Sequence, residues 1–295
     1  MKITNNFNLP QALYDYVVET SGRHNDKNCY SATTILQPTR MILLKERHFD
    51  EIEVDCSEMI NMLFGTSTHA IMEHFDKTGY AEVDLKLEVK DGFYLTGKCD
   101  MYNEQEHSVE DWKTATTYKI AKKDFADWER QGKIYALMLN NIGLYTDKST
   151  FYGLLKDWTP KEHRMAKLKG EFYPDTQVYQ HKFAINTNDL NEIKDFVKEK
   201  FDELIANQNV ADDDLPYCSD EDTWYTGDKW AVYGTSKERA LKVCNTEEEA
   251  KEYMEKNAKA IQIVKRTGEH RRCLDYCDCC QFCKYYKQFI EKEGK

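Results

Sequence analysis

No stretch of the chain is apolar for anything near the ~18 residues a membrane helix needs. The opening MKITNNFNLPQALYDYVVET lacks a basic segment followed by an apolar one. Neither a membrane span nor a secretory leader is therefore expected, and the protein reads as cytoplasmic. Internal repeats and low-complexity tracts are missing too, which sets aside repeat arrays and disordered linkers. Positive charge is in deficit. The formal net charge is −11, the wrong sign for a protein that coats nucleic acid through bulk electrostatics. An enzyme of this charge acting on nucleic acid has to work through a local basic groove.

What is present is a globular balance. Hydrophobic residues make up 41% and charged residues 32% of 295, enough for one large domain or two modest ones. In an intracellular chain, ten cysteines are metal ligands or small buried hydrophobes more often than disulfides. Cys29, Cys56, Cys99, Cys218 and Cys244 are scattered singly, whereas Cys273, Cys277, Cys279, Cys280 and Cys283 crowd into eleven residues.

Apolar periodicity predicts a helix over 31–47, with Ser31 as N-cap and Pro38 interrupting its first half, and a longer helix over 57–78. Val83, Leu85, Leu87 and Val89 then alternate at period two. Asp91-Gly92 marks a hairpin, Phe93 and Leu95 resume beyond it, and a turn at 103–106 leads into a third strand, 107–112. A helix is expected over 121–142, strands over 150–157 and 177–185 with a polar, basic loop between them, and a helix over 187–207 capped by Thr187 or Asn188. The composition shift at ADDDLPYCSDEDTW (211–224) divides the chain into 1–210 and 211–295. The second part carries a hairpin (230–234 and 239–243), a helix opened by the Thr246/Glu249 capping box, and a last strand at 261–265.

The chemistry gathers around the three strands. Asp100 ends the second and Asp111-Trp112-Lys113 the third, with Asp111 and Lys113 on one face by period-two alternation. Phosphodiester hydrolysis needs a divalent cation held by carboxylates and gains from a cation beside the attacking water. On the next helix Gln131 and Tyr135 stand one turn apart, as do His69 and Glu73 upstream. Alone, each of these is ordinary: a solvated strand end, a helix polar edge, a satisfied histidine. Basic residues flank the Gln131 helix (Lys119, Lys122, Lys123, Arg130, Lys133) and fill the later loop (Lys156, Lys161, Arg164, Lys167, Lys169).

Taken in order, G-x3-H-x3-E (Gly65, His69, Glu73), a strand-borne Asp100, D-x-K (Asp111, Lys113) and Q-x3-Y (Gln131, Tyr135) resemble the RecB-type branch of the PD-(D/E)xK nucleases. That branch includes AddB and CRISPR-associated RecB-like exonucleases, the mitochondrial genome-maintenance exonuclease and bacteriophage nucleases. The resemblance covers roughly residues 30–205, including YSATTILQPTRMILLKERH as the family's first helix. It implies an α/β fold, restriction-endonuclease-like, with a mixed central sheet flanked by helices. It also implies a small C-terminal α/β extension and a Cys-rich tail.

The roles it implies are specific. Asp100, Asp111 and Lys113 would be catalytic, with Mg2+ or Mn2+ held by Asp100, Asp111, His69 and the Trp112 carbonyl. Lys113 would orient the attacking water, and Gln131 and Tyr135 would hold the DNA strand. Cys99 stands where the superfamily name has proline, and residue 111 is Asp where many members have Glu. Glu110 would face away on a regular strand. Several relatives use three C-terminal cysteines and one upstream for a 4Fe–4S cluster, but Gln37-Pro38 occupies the stretch where they place Cys-Pro. Cys273, Cys277 and Cys283 are therefore candidate ligands for an iron–sulfur cluster, or for zinc with His270, Cys279 or Cys280, or they pack without metal.

The expected activity is a metal-dependent DNA exonuclease acting on ends or single strands, in phage or mobile-element DNA processing, recombination or repair, within the host cytoplasm if phage-encoded. The alternatives are a structure-specific endonuclease with the same site and a catalytically idle nuclease fold that binds nucleic acid or protein.

Overall fold

A computed structural model describes residues 1–22, 26–75, 80–236 and 238–290. The chain divides into two compact units, Met1–Ile42 with Phe49–Asn209, and Leu43–His48 with Val210–Lys295.

The first unit opens with β1 (Lys2–Thr4), α1 (Gln11–Thr20), β2 (Cys29–Ser31) and the start of α2 (Thr39–Arg47), followed by β3 (Glu53–Asp55), which pairs parallel with β1. Asp55 then caps a single 3-10 turn with a reciprocal capping box to Glu58, and the chain continues into α3 (Ile60–Phe75). Next come β4 (Ala81–Lys90), β5 (Phe93–Asn103), β6 (Ser108–Ala115), α4 (Thr117–Lys122) and α5 (Ala126–Asn141). The unit ends with β7 (Lys148–Leu155), α6 (Pro160–Lys169), β8 (Val178–Ala184) and α7 (Thr187–Asn207).

Six strands form the central mixed sheet, in the order β2-β5-β6-β7-β8 with β4 on β5. One edge of β5 carries β4, antiparallel. The other edge is shared, with β2 parallel along residues 94–96 and β6 antiparallel along 101–103. β6 and β7 run parallel through the whole of β6, and β8 returns antiparallel. The parallel step from β6 to β7 requires a crossover, which α4 and α5 supply. α5 buries Trp128, Gln131, Ile134, Tyr135, Met138 and Leu139, and it packs against the sheet through Gly132. A Cβ there would lie 2.5 Å from the Ser149 hydroxyl on β7. Phe125, Trp128, Phe151 and Leu155 fill the layer between. Thus the α/β architecture with a mixed central sheet flanked by helices, expected from the family resemblance, is the one the chain adopts.

Four local expectations are corrected. The helix expected over 31–47 begins only at Thr39. Ser31 ends β2 and accepts the Thr34 N–H in a tight turn, since Pro38 disfavours helix in the residue before it. The helix expected over 121–142 is two helices, parted at Lys123, whose φ of 53° is left-handed. The basic loop holds α6, capped by Thr159, started by Pro160 and stopped by Gly170 at φ 68°. The cap of α7 is Asn186, its side chain accepting the N–H groups of Asn188 and Asp189. Expected helical residues 76–78 lie outside the described residues.

In the second unit β9 (Lys229–Tyr233) is the centre of a three-stranded antiparallel sheet between β10 (Lys242–Cys244) and β11 (Gln262–Arg266). α8 (Glu247–Lys256), capped by Thr246, closes a small core of Val232, Cys244 and Ala250. Leu43–His48 belongs here through Arg47 and His48, both paired to Asp212, and through the His48 ring, stacked 4.0 Å from Phe282. After β11 the chain makes only a five-residue helix, α9 (Arg271–Asp275), and isolated turns through the cysteine-rich segment. Among the described residues no helix is long and apolar enough to cross a membrane.

Candidate metal centre and active site

Five elements of the first unit aim polar side chains into one open cleft of about 480 Å³: His69 from α3, Glu82 from β4, Lys98 and Asp100 from β5, Lys113 from β6, and Gln131 and Tyr135 from α5. Gly97 makes room for this convergence. A Cβ at that position would lie 2.8 Å from the Tyr135 ring, so any side chain on β5 there would displace the tyrosine.

The ladder between β5 and β6 ends at Met101 and Glu110. One step further the Trp112 N–H donates to Asp100 Oδ2 at 2.8 Å, a charge-assisted bond in place of a ladder carbonyl. The other oxygen of Asp100 lies 3.1 Å from His69 Nδ1, which is 3.9 Å from Glu82 Oε1. The bond to Asp100 is the main reason the His69 pKa is raised above its ordinary value.

His69, Glu82 and Asp100 each offer one ligand atom, all within 4.8 Å of one another. One nitrogen and two carboxylate oxygens make a donor set that could hold a divalent cation. Glu82 reaches the site through a left-handed backbone, φ 52°, a strained conformation of the kind that concentrates at functional positions. Its second oxygen is 2.7 Å from Lys98 Nζ.

Asp111 stands behind this group. It is 1% exposed, and burial raises its pKa to about 6, with the Asp100 charge adding to the effect and Lys113 opposing it. Oδ2 accepts from the Gln131 side-chain amide at 3.1 Å, and that amide also lies 3.4 Å from the Tyr135 hydroxyl. Oδ1 is buried and lacks a well-aligned hydrogen-bond donor among the described residues, although the Lys113 ammonium is 2.5 Å away. A buried, ionisable oxygen left without a directed donor is a position a cation would complete.

The expected residues thus arrive together but not in the expected arrangement. His69, Asp100 and Lys113 line the cleft, while Asp111 is held beneath it by Lys113 and Gln131. Gln131 and Tyr135 are each 5% exposed and engaged with Asp111's surroundings. Trp112 touches Asp100 through its N–H, and its ring stacks 4.5 Å from Tyr152. Glu110 does face away, taking hydrogen bonds from Asn103 and Tyr152. Cys99, fully buried, has its thiol pKa pushed well up by that burial.

Glu82 was not among the expected ligands. It belongs to the polar face of β4, which alternation alone assigns to solvent. Counting outward from the Asp91-Gly92 turn would have placed it within one residue of Asp100.

In the second unit Cys273, Cys277 and Cys283 are partly buried, and Cys277 Sγ lies 3.6 Å from Cys279 Sγ. His270 is otherwise occupied. Its Nδ1 pairs with the Thr223 hydroxyl at 2.8 Å, and its ring stacks on Tyr225.

No family model matches the sequence, and no curated protein matches it. Five chains of known structure do. SSO0001 is 14% identical with a TM-score of 0.47, over 67% of this chain and 85% of its own. A phage-related exonuclease from Haemophilus somnus 129PT is 12% identical with a TM-score of 0.28, over 59% of this chain and 75% of its own. Overlaps this partial say nothing about what the present chain does.

Proposed function

We propose that the first unit is a metal-dependent DNA exonuclease of the RecB-type PD-(D/E)xK kind, with Asp100, Asp111 and Lys113 as its catalytic residues. One observation carries the reading: a single cleft receives His69, Glu82, Asp100, Lys113, Gln131 and Tyr135, directly above a buried Asp111 whose Oδ1 is paired with the Lys113 ammonium.

His69, Glu82 and Asp100 would hold Mg2+ or Mn2+, with Asp111 Oδ1 as the oxygen left to complete the set. The bound ion supplies Lewis acidity, polarising the phosphoryl oxygen and lowering the pKa of a water. Everything else falls to the chain. The Trp112 N–H and Gln131 amide fix the two aspartates from behind, so neither carboxylate has to reorganise during reaction. Lys113 neutralises Asp111. A phosphate entering the cleft would compete for the same ammonium, drawing Lys113 to the substrate and freeing Asp111 Oδ1 for the cation.

The test is digestion of end-labelled linear single- and double-stranded DNA beside covalently closed circles, with Mg2+ or Mn2+. An exonuclease consumes the linear forms and spares the circles. Cutting of circles would move the assignment to endonuclease, and binding without cleavage in either metal would leave an idle nuclease fold.

A further inference from the structure

Positive charge is in deficit in this chain, and in the second unit it is unevenly placed. The strands β9, β10 and β11 carry Lys229, Lys242, Lys265 and Arg266 and no carboxylate. α8, packed on one side of them, carries Glu247, Glu248, Glu249, Glu252 and Glu255. Its two lysines, Lys251 and Lys256, are paired with Glu247 and Glu252. The helix layer is thus acidic and the sheet layer basic, within a chain of net charge −11.

Alternation along the strands sorts the four cations between the two faces. Trp230, Val232 and Ile263 face α8. Lys265 and Lys242 stand on that side too. Lys265 Nζ lies 5.9 Å from the Trp230 ring and 2.6 Å from Asp228, and Lys242 Nζ lies 5.1 Å from the Tyr253 ring of α8. The opposite face keeps Lys229 and Arg266, which are direct register partners on β9 and β11. Like charges placed opposite each other on neighbouring strands are destabilising. Each gives a hydrogen bond to a neutral oxygen, Lys229 to Asn245 Oδ1 at 2.6 Å and Arg266 to the Tyr233 hydroxyl at 2.5 Å. The Arg266 guanidinium also lies 5.8 Å from the Tyr233 ring. Between this basic row and Tyr233 runs an apolar strip of Val243, Ala231 and Val264, paired across all three strands. Val243 is 49% exposed.

We propose that this face of the second unit binds a single strand of DNA, with phosphates over Lys229 and Arg266 and bases against Tyr233 and the Val243–Val264 strip. An anion between the two cations relieves their juxtaposition. A duplex hides the faces of its bases, whereas an unstacked strand offers both a phosphate and a π-face, which a cation row beside an aromatic and apolar strip complements. The choice of DNA rests on the nuclease reading of the first unit, and the charge pattern is the second unit's own.

Binding of a fluorescent oligothymidylate to the full chain is followed by anisotropy over a range of salt, in EDTA, where metal-dependent cleavage is off. For single strands each phosphate contact contributes about 0.7 to the slope of log affinity against log salt, or about fivefold in affinity at ~0.1 M salt. Lys229→Gln and Arg266→Gln, each shown folded by its thermal transition, should each weaken binding about fivefold and flatten the slope by about 0.7, with both losses compounded in the double variant. Lys251→Gln and Lys256→Gln on α8 should leave affinity and slope unchanged. A wild type that does not bind, a double variant with wild-type affinity and slope, or an equal loss in the α8 variants overturns the proposal. Should the double variant fail to fold, acetylation of wild-type lysines read by peptide mass spectrometry decides the matter. The oligothymidylate should protect Lys229 and leave Lys251 and Lys256 reactive, and equal acetylation of Lys229 with and without it refutes the face. Cleavage in Mn2+ scores the nuclease reading separately. A chain that binds through this face and cuts nothing keeps the inference and loses the nuclease, and one that cuts while the double variant binds like wild type does the reverse.

Discussion

Replacing Asp111 by Asn should make the metal-free protein more stable, because the wild-type carboxylate is ionised at neutral pH against the preference of its surroundings. Asp111 is 1% exposed, and its pKa is raised from 3.8 to about 6. That is about two pKa units, equivalent to about 3 kcal/mol of destabilisation once the group is charged. Asn keeps an acceptor for the Gln131 amide, and the partly exposed Lys113 can turn to water, so much of this should be recovered. For a domain of roughly 200 residues it corresponds to a rise in Tm of roughly 5–10 °C.

The sign fixes the pH window. An acid whose pKa is raised on folding carries no penalty below its unfolded value, because both states are then protonated. The penalty grows between about pH 4 and 6 and is complete above that. The advantage of Asp111→Asn should follow the same course in EDTA, measured by calorimetry or thermal fluorescence from pH 4 to 8. Saturating Mn2+ should reverse the order, since a ligand at 100 times its Kd adds about 2.7 kcal/mol to the state that binds it. A variant less stable than wild type at pH 8 in EDTA, or an advantage equally large at pH 4, would refute the reasoning.

Two further outcomes bear on the neighbouring residues. Gly132→Ala should cost about 1–3 kcal/mol by forcing α5 away from Ser149, read as a lower Tm, and it should lower activity as well because Gln131 moves with the helix. Mn2+ affinity measured by calorimetry should fall as pH drops through the raised His69 pKa, because only neutral imidazole ligates. His69→Ala should bind more weakly and lose the part of that dependence due to the imidazole, and a wild-type affinity constant from pH 8 to 6 would remove His69 from the ligand set.

The strands and most of the site were legible because period-two alternation and the Asp91-Gly92 turn are local signals. Asp100, Asp111, Lys113, His69, Gln131 and Tyr135 are each ordinary alone, and the resemblance of their order to that of the RecB-type nucleases is what picked them out as candidates. Glu82 was not legible for a definite reason. A two-residue hairpin pairs Lys90 with Phe93, and carried outward without interruption that register sets Val83 opposite Asp100. The irregularity between Glu88 and Lys90 slips the pairing by one residue, which exchanges the two faces of the strand and brings Glu82 to the site. The break at Lys123 depends on a left-handed residue that nothing in AKKDFADWE demands. α6 is a different case. Thr159-Pro160 and Gly170 are ordinary start and stop signals, and the density of lysines between them drew attention to charge instead.

The most direct test of the carboxylate cleft as a nuclease centre is the rate of Mn2+-dependent cleavage of end-labelled linear DNA by wild type, Asp100→Asn and Lys113→Ala, each shown folded by its thermal transition. The account predicts cleavage by wild type that EDTA abolishes, and a loss of about 100-fold or more in both variants. Cleavage that survives in the two variants at the wild-type rate, or a wild type inert on every DNA form in both Mg2+ and Mn2+, would contradict it.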